Sequence, residues 1–161
     1  MKNLVIVGLV LISAVFISMP ALAQEHPFQL SLITPIQIFP ENSAITGVRI
    51  NLIYGRNTTV KGLDWGLVNH TTSGTSLGIE LGGVNLSDAN FTGLQYGWVN
   101  WSKGNFEGMQ WGFVNHADYA NGFQLGFVNH ANKLKGLQIG LINIIKEGGQ
   151  FPVFPIINWS F

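Results

Sequence analysis

The chain predicts an all-β repeat protein, and three observations carry that prediction. One short pattern recurs along most of its length, the apolar residues within each copy alternate with a period of two, and glycine and aromatics are plentiful where charge is scarce. Of the 161 residues 20 are glycine, and only 10% are charged against 12% aromatic. A disordered chain shows the opposite balance, so a tightly packed β-protein is expected.

The pattern is Gly-x-x-x-Gly-x-x-Asn. Its copies begin at Gly62, Gly78, Gly93, Gly108, Gly122 and Gly136 and close at Asn69, Asn85, Asn100, Asn115, Asn129 and Asn143. Successive first glycines lie 16, 15, 15, 14 and 14 residues apart. Gly47 stands 15 before Gly62, making Gly47 to Tyr54 a degenerate first copy; Asn158 stands 15 after Asn143, making Phe151 to Phe161 a degenerate last one. All variation in length falls between the Asn and the next Gly, where an adaptable turn belongs. Asn suits the start of that turn, because it tolerates a left-handed backbone and bonds to its own main chain.

Alternation gives each copy two faces. One carries Leu94, Tyr96 and Trp98, or Met109, Trp111 and Phe113, and is expected to form the core, with Trp65, Trp98 and Trp111 packed inside. The other carries Gly93, Gln95, Gly97 and Val99. Two glycines per strand weaken an ordinary sheet, so their recurrence predicts a close approach of neighbouring backbone or a bend. Trp101 falls on the glycine face by this count and is the better candidate for a binding aromatic.

Two architectures fit. In a short-coil parallel β-solenoid each copy is one coil stacked on the last; in a small antiparallel outer-membrane β-barrel of 8–10 strands each copy is one strand. An apolar stripe of three alternate side chains spans only about 13 Å, short of the roughly 25 Å lipid-facing band of a barrel. Antiparallel strands would also place the same Asn at both membrane surfaces, whereas parallel stacking gives identical units identical surroundings. The alternating ending Ile157, Trp159, Phe161 favours the barrel. The solenoid is preferred.

The amino terminus predicts export. Lys2 precedes an uncharged apolar run from Leu4 to Met19, and Ala21-Leu22-Ala23 is a small-x-small cleavage signal, so residues 1–23 read as a signal peptide and the exported chain starts at Gln24. The run is too short for a membrane span, and no cysteine follows for lipidation. Residues 24–161 form a single β-repeat domain: N-terminal strands or cap over 27–58, repeats over 59–144, and a degenerate repeat over 145–161. Without Lys2, seven Lys+Arg stand against eight Asp+Glu, which leaves no basic face for nucleic acid. The absence of cysteine excludes disulfides and thiol chemistry.

The copies above, the segment Gly47-Val-Arg-Ile-Asn-Leu-Ile-Tyr-Gly55 and the ending Phe154-Pro-Ile-Ile-Asn-Trp-Ser-Phe161 resemble the bacterial surface-repeat proteins of leptospiral type. The resemblance spans nearly all of the chain after the leader. It implies an exported, envelope-associated protein and carries over no catalytic or binding residue.

Chemistry is sparse. In a parallel stack Asp64, Glu80, Gln95, Gln110, Gln124 and Gln138 form one column, and Asp64 beside Glu80 raises the paired carboxylates of glycoside cleavage. A solvated face with amides bonded along the ladder is the simpler reading, with no Arg or Lys in the column. His70, His116 and His130 follow the repeat Asn, and the last two occupy adjacent copies; a metal would still lack a third ligand, because Leu86, Trp101 and Ile144 hold the equivalent positions. Asn-x-Ser/Thr triplets at Asn57, Asn69, Asn85, Asn90, Asn100 and Asn158 are explained mainly by the repeat. No Gly-x-Ser-x-Gly elbow or phosphate loop occurs. The expectation is therefore no catalytic, metal or cofactor site. A non-enzymatic envelope or surface module is expected, with an unidentified envelope, surface or carbohydrate partner and membrane association left open. A small barrel and a polysaccharide-acting enzyme are the other readings.

Overall fold

The computed structural model describes residues 24–161, so the predicted leader lies outside the described residues. They form one sheet in the order β2-β1-β3-β4-β5-β6-β7. The strands are β1 (Glu25–Ile33), β2 (Ile36–Gln37), β3 (Ala44–Asn57), β4 (Val60–Thr71), β5 (Thr75–Ser87), β6 (Asn90–Glu147) and β7 (Val153–Ser160). From β1 through β3, β4, β5 and into β6 every pairing is parallel. β6 runs for 58 residues because it winds without interruption through the later coils. The architecture is a parallel β-solenoid, and the antiparallel barrel is not the fold.

Register follows the repeat. Gly47 pairs with Gly62, Gly62 with Gly78 and Gly78 with Gly93; Asn69 pairs with Asn85 and Asn85 with Asn100. The first-glycine column continues through Gly108, Gly122 and Gly136, each residue of it lying on the carbonyl oxygen of the one before. These glycines have φ between +131° and +146°, where a side chain is strained, and a methyl group would also overlap that oxygen. Close approach and bend, offered by the sequence as alternatives, thus coincide.

Both ends depart from the stack. β2 folds back antiparallel on β1, while β7 folds back antiparallel on the last coil of β6, with Leu137 opposite Trp159 and Ile139 opposite Ile157. Asn158 therefore faces Gln138 rather than continuing the Asn column, so Val153–Ser160 is a reversed cap rather than a last parallel copy.

The interior corrects the sequence reading most. Tyr96, Trp98, Trp111 and Phe113 were expected in the core, yet they point outward, with Trp98 66% exposed. Gln95, Gln110, Gln124 and Gln138 are instead enclosed, as are the repeat residues Asn69, Asn85, Asn100, Asn115, Asn129 and Asn143. A flattened coil of 14–16 residues, about 50 Å around, has room between its two sides for slender side chains and glycine but not for stacked indoles. A smaller apolar cluster of Phe91, Phe106, Ala117, Ala120, Ala131, Leu134 and Ile145 fills the end of the coil beyond the amides.

Strict alternation also fails at a corner of each coil. Gln95 and Gly97 are interior, and so are Asn100 and Ser102, so parity switches at the corner Trp98-Val99-Asn100. Trp101 is thereby turned outward, away from the glycines it was assigned to.

Candidate functional site

Two amide ladders run the length of the interior. Asn69 Nδ2 donates to Asn85 Oδ1 at 2.9 Å, and the same bond links Asn85 to Asn100, Asn100 to Asn115, Asn115 to Asn129 and Asn129 to Asn143 at 2.8 Å each. Each of these Nδ2 groups also donates to a main-chain carbonyl of the following coil, such as Tyr96 O at 3.0 Å and Trp111 O at 3.1 Å. The Gln ladder runs the other way: Gln138 donates to Gln124, Gln124 to Gln110, Gln110 to Gln95 and Gln95 to the Glu80 carboxyl, at 2.7, 2.7, 2.9 and 2.7 Å. Opposed donor directions cancel the amide dipoles along the axis, and repetition itself satisfies the ladder amides except at the last rung, where Gln138 Oε1 has no donor. The ladder anticipated on a solvated face exists, but inside the coil.

The Gln column ends in charge. Arg49 lies in register with Asp64, and its guanidinium grips that carboxylate from Nε at 2.8 Å and from NH2, fully enclosed. The sequence reading placed no cation in this column. The signal was available, because Arg49 follows Gly47 as Asp64 follows Gly62. Asp64 also accepts from Asn51 at 3.1 Å. Glu80, on the next coil, is enclosed with one oxygen lacking a donor. Burial first, then the charge of Asp64, pushes its carboxyl well above the usual value. A protonated Glu80 accepts from Gln95 and can donate to Asp64, so it serves as the neutral joint between an ion pair and an amide ladder. Asp64 and Glu80 are brought together as expected of paired carboxylates, yet both are closed off from solvent and substrate.

His70, His116 and His130 form two separate groups on the outer surface beyond the corner of the coil. His116 and His130 stack with centroids 4.7 Å apart and share a hydrogen bond between Nδ1 atoms at 2.8 Å; Trp101 stacks on His116 at 3.9 Å. That bond requires one imidazole to donate and the other to accept, and burial lowers the affinity of both for a proton. Asp118 meets His116 at 3.2 Å and is itself held by Asn132 at 2.8 Å. His70 stands apart, between the Tyr54 hydroxyl at 2.8 Å and Asp88 at 2.7 Å, and Asp88 pairs with Lys103. Burial raises the Tyr54 phenol above its ordinary value, the reverse of an activated nucleophile. Among the described residues no group of three or more His, Asp or Glu is placed to hold a metal ion. The triplet residues Asn57, Asn69, Asn85, Asn100 and Asn158 are enclosed, which leaves Asn90 as the partly open one.

The outer apolar stripe is the feature that sequence reasoning assigned to the wrong side. Three columns run along it: Leu63, Ile79 and Leu94 head the first, Trp65, Leu81 and Tyr96 the second, and Leu67, Gly83 and Trp98 the third. The columns continue through Met109, Trp111 and Phe113, then Phe123, Leu125 and Phe127, then Leu137, Ile139 and Leu141. Phe28 and Leu30 extend the first two at the amino-terminal end through β1, as do Trp159 and Ile157 at the other through β7. No position in these columns carries a charge. Among the described residues exterior charge is confined to the remaining surface, which carries six cations and six anions. Comparison with family models, with curated proteins and with solved structures finds no match.

Proposed function

We propose that the protein is an exported, non-enzymatic module of the cell envelope or cell surface that acts by contact through its apolar sheet face. One observation carries this reading: a charge-free face several coils long lies outside a solenoid whose polar groups are enclosed. Soluble monomers rarely leave so large a contiguous apolar patch bare, and those that do use it for association. The leader-like start and the resemblance to surface-repeat proteins support export. A polysaccharide-cleaving role is disfavoured by the enclosure of Asp64 and Glu80.

The chain lacks cysteine, so a single introduced thiol reports on one face. In isolated envelopes, Lys103→Cys on the charged side should react fully with a polar maleimide. Trp98→Cys should be protected until detergent or denaturant is added. Equal labelling of the two would show a bare apolar face and remove the proposal.

A further inference from the structure

We propose that the apolar face is covered by a second copy of this chain, packed face to face with the two solenoid axes antiparallel. The inference rests on the contact reading above and names its partner.

Area is the first argument. Three columns at about 6.6 Å spacing and about nine rows at roughly 4.8 Å make a face of some 20 by 40 Å, on the order of 800 Å². That is what each partner of a standard stable interface contributes. Continuation of the parallel stack into a second copy is opposed at the carboxyl end, where β7 folds back antiparallel on the last coil. A lipid surface fits less well: among the described residues exterior charges balance and no basic rim flanks the face.

Relief on the face selects the orientation. Gly83 interrupts the third column and opens a hollow between Trp65 and Leu67 on one side and Tyr96 and Trp98 on the other. In the same column Phe113 protrudes, 54% exposed. Counting rows from β1 to β7, the Leu94 row is central, the Gly83 row precedes it and the Phe113 row follows it. A two-fold axis along the strand direction keeps columns and reverses rows, so Phe113 of each copy meets the Gly83 hollow of the other. The central row then faces itself, and Tyr96, its middle residue, meets Tyr96 of the second copy.

That self-contact gives the test. Sedimentation of the purified protein should show a dimer. Tyr96→Lys and Tyr96→Glu should each weaken pairing at least about a hundredfold, since like charges then oppose one another. An equimolar mixture of the two should pair again, because opposite charges now meet. Retained circular dichroism for each variant separates lost pairing from lost fold. Should either variant unfold, a short bismaleimide on Tyr96→Cys must link two copies, while on Lys103→Cys it must not. A parent chain that stays monomeric, variants that pair like the parent, or a mixture of folded variants that fails to re-pair would each overturn the proposal. So would flotation of the monomer with neutral phosphatidylcholine vesicles, which assigns the face to lipid. A monomeric purified chain whose Trp98→Cys is nevertheless protected in envelopes would sink the self-pairing and leave the contact reading standing.

Discussion

Gln95 and Trp98 lie on one strand three residues apart, and they exchange the places usually given to their types. Gln95 is enclosed and bonded to Glu80, Gln110 and Ser102, while Trp98 stands mostly in the open. The difference shows that hydrophobicity does not decide which face of a stacked coil is internal. In a repeat, a side chain that hydrogen-bonds to its own kind one coil away satisfies itself, so the usual cost of burying an amide is offset. An indole has no such ladder and needs volume that a narrow coil lacks. The inner side should therefore be sensitive to lost polar partners, and the outer side tolerant of lost apolar ones.

The largest effect is expected where the inner column is charged. Arg49→Leu leaves the Asp64 carboxylate enclosed without its cation, next to Glu80, and should cost about 3–5 kcal/mol in urea unfolding. Adding Asp64→Asn to it should restore much of that loss, because no uncompensated charge remains. A double variant no more stable than Arg49→Leu alone would mean that the ion pair is not what the column needs.

A smaller effect is expected within the amide ladder. Asn115 donates to Asn129 at 2.8 Å and to Leu125 O at 2.9 Å, and accepts from Asn100. Asn115→Leu should cost about 1–3 kcal/mol through the polar groups it strands. Phe113→Thr on the outer face should cost less when the chain is kept dilute, and thermal melts of the two variants side by side would rank them.

The smallest effect separates the two kinds of rung by pH. Glu80 binds its proton more tightly folded than unfolded. Its contribution is therefore complete below its ordinary value of 4.5 and is lost as pH rises towards the raised folded value. Glu80→Gln supplies a neutral rung at every pH, so it should match the parent near about pH 4.5 and exceed it at about pH 8. His116 and His130 act with the opposite sign. Their proton affinity is lowered on folding, so their contribution is full above 6.5 and is lost as pH falls below it. Stability curves of the parent and Glu80→Gln between these limits should diverge on the alkaline side only.

Much of this fold was legible in the residues. The spacing from Gly47 to Gly136 gave the parallel register, and paired glycines marked close backbone approach. The 13 Å stripe argued correctly against a barrel. Sidedness was not legible, because a period of two defines two faces without saying which is inner. A volume argument would have found it: Gly93, Gln95 and Gly97 fill a narrow gap, whereas Leu94, Tyr96 and Trp98 repeated at every coil overfill it. The switch of parity at Val99 left no local trace, and so Trp101 was misplaced. Arg49 was missed because its copy, with Ile53 and Tyr54 ahead of Gly55, departs from the pattern used to align the others.

The inverted sidedness of the coil can be read from one pair of substitutions. Gln95→Leu and Trp98→Thr should be compared by urea unfolding, at concentrations low enough to keep the chain monomeric. With the amides inside, Gln95→Leu should cost about 1–3 kcal/mol and Trp98→Thr less than about 1 kcal/mol. If the aromatic face were the core, Trp98→Thr would cost about 3–5 kcal/mol and Gln95→Leu next to nothing. That reversed order would place the aromatic face inside and the amides outside.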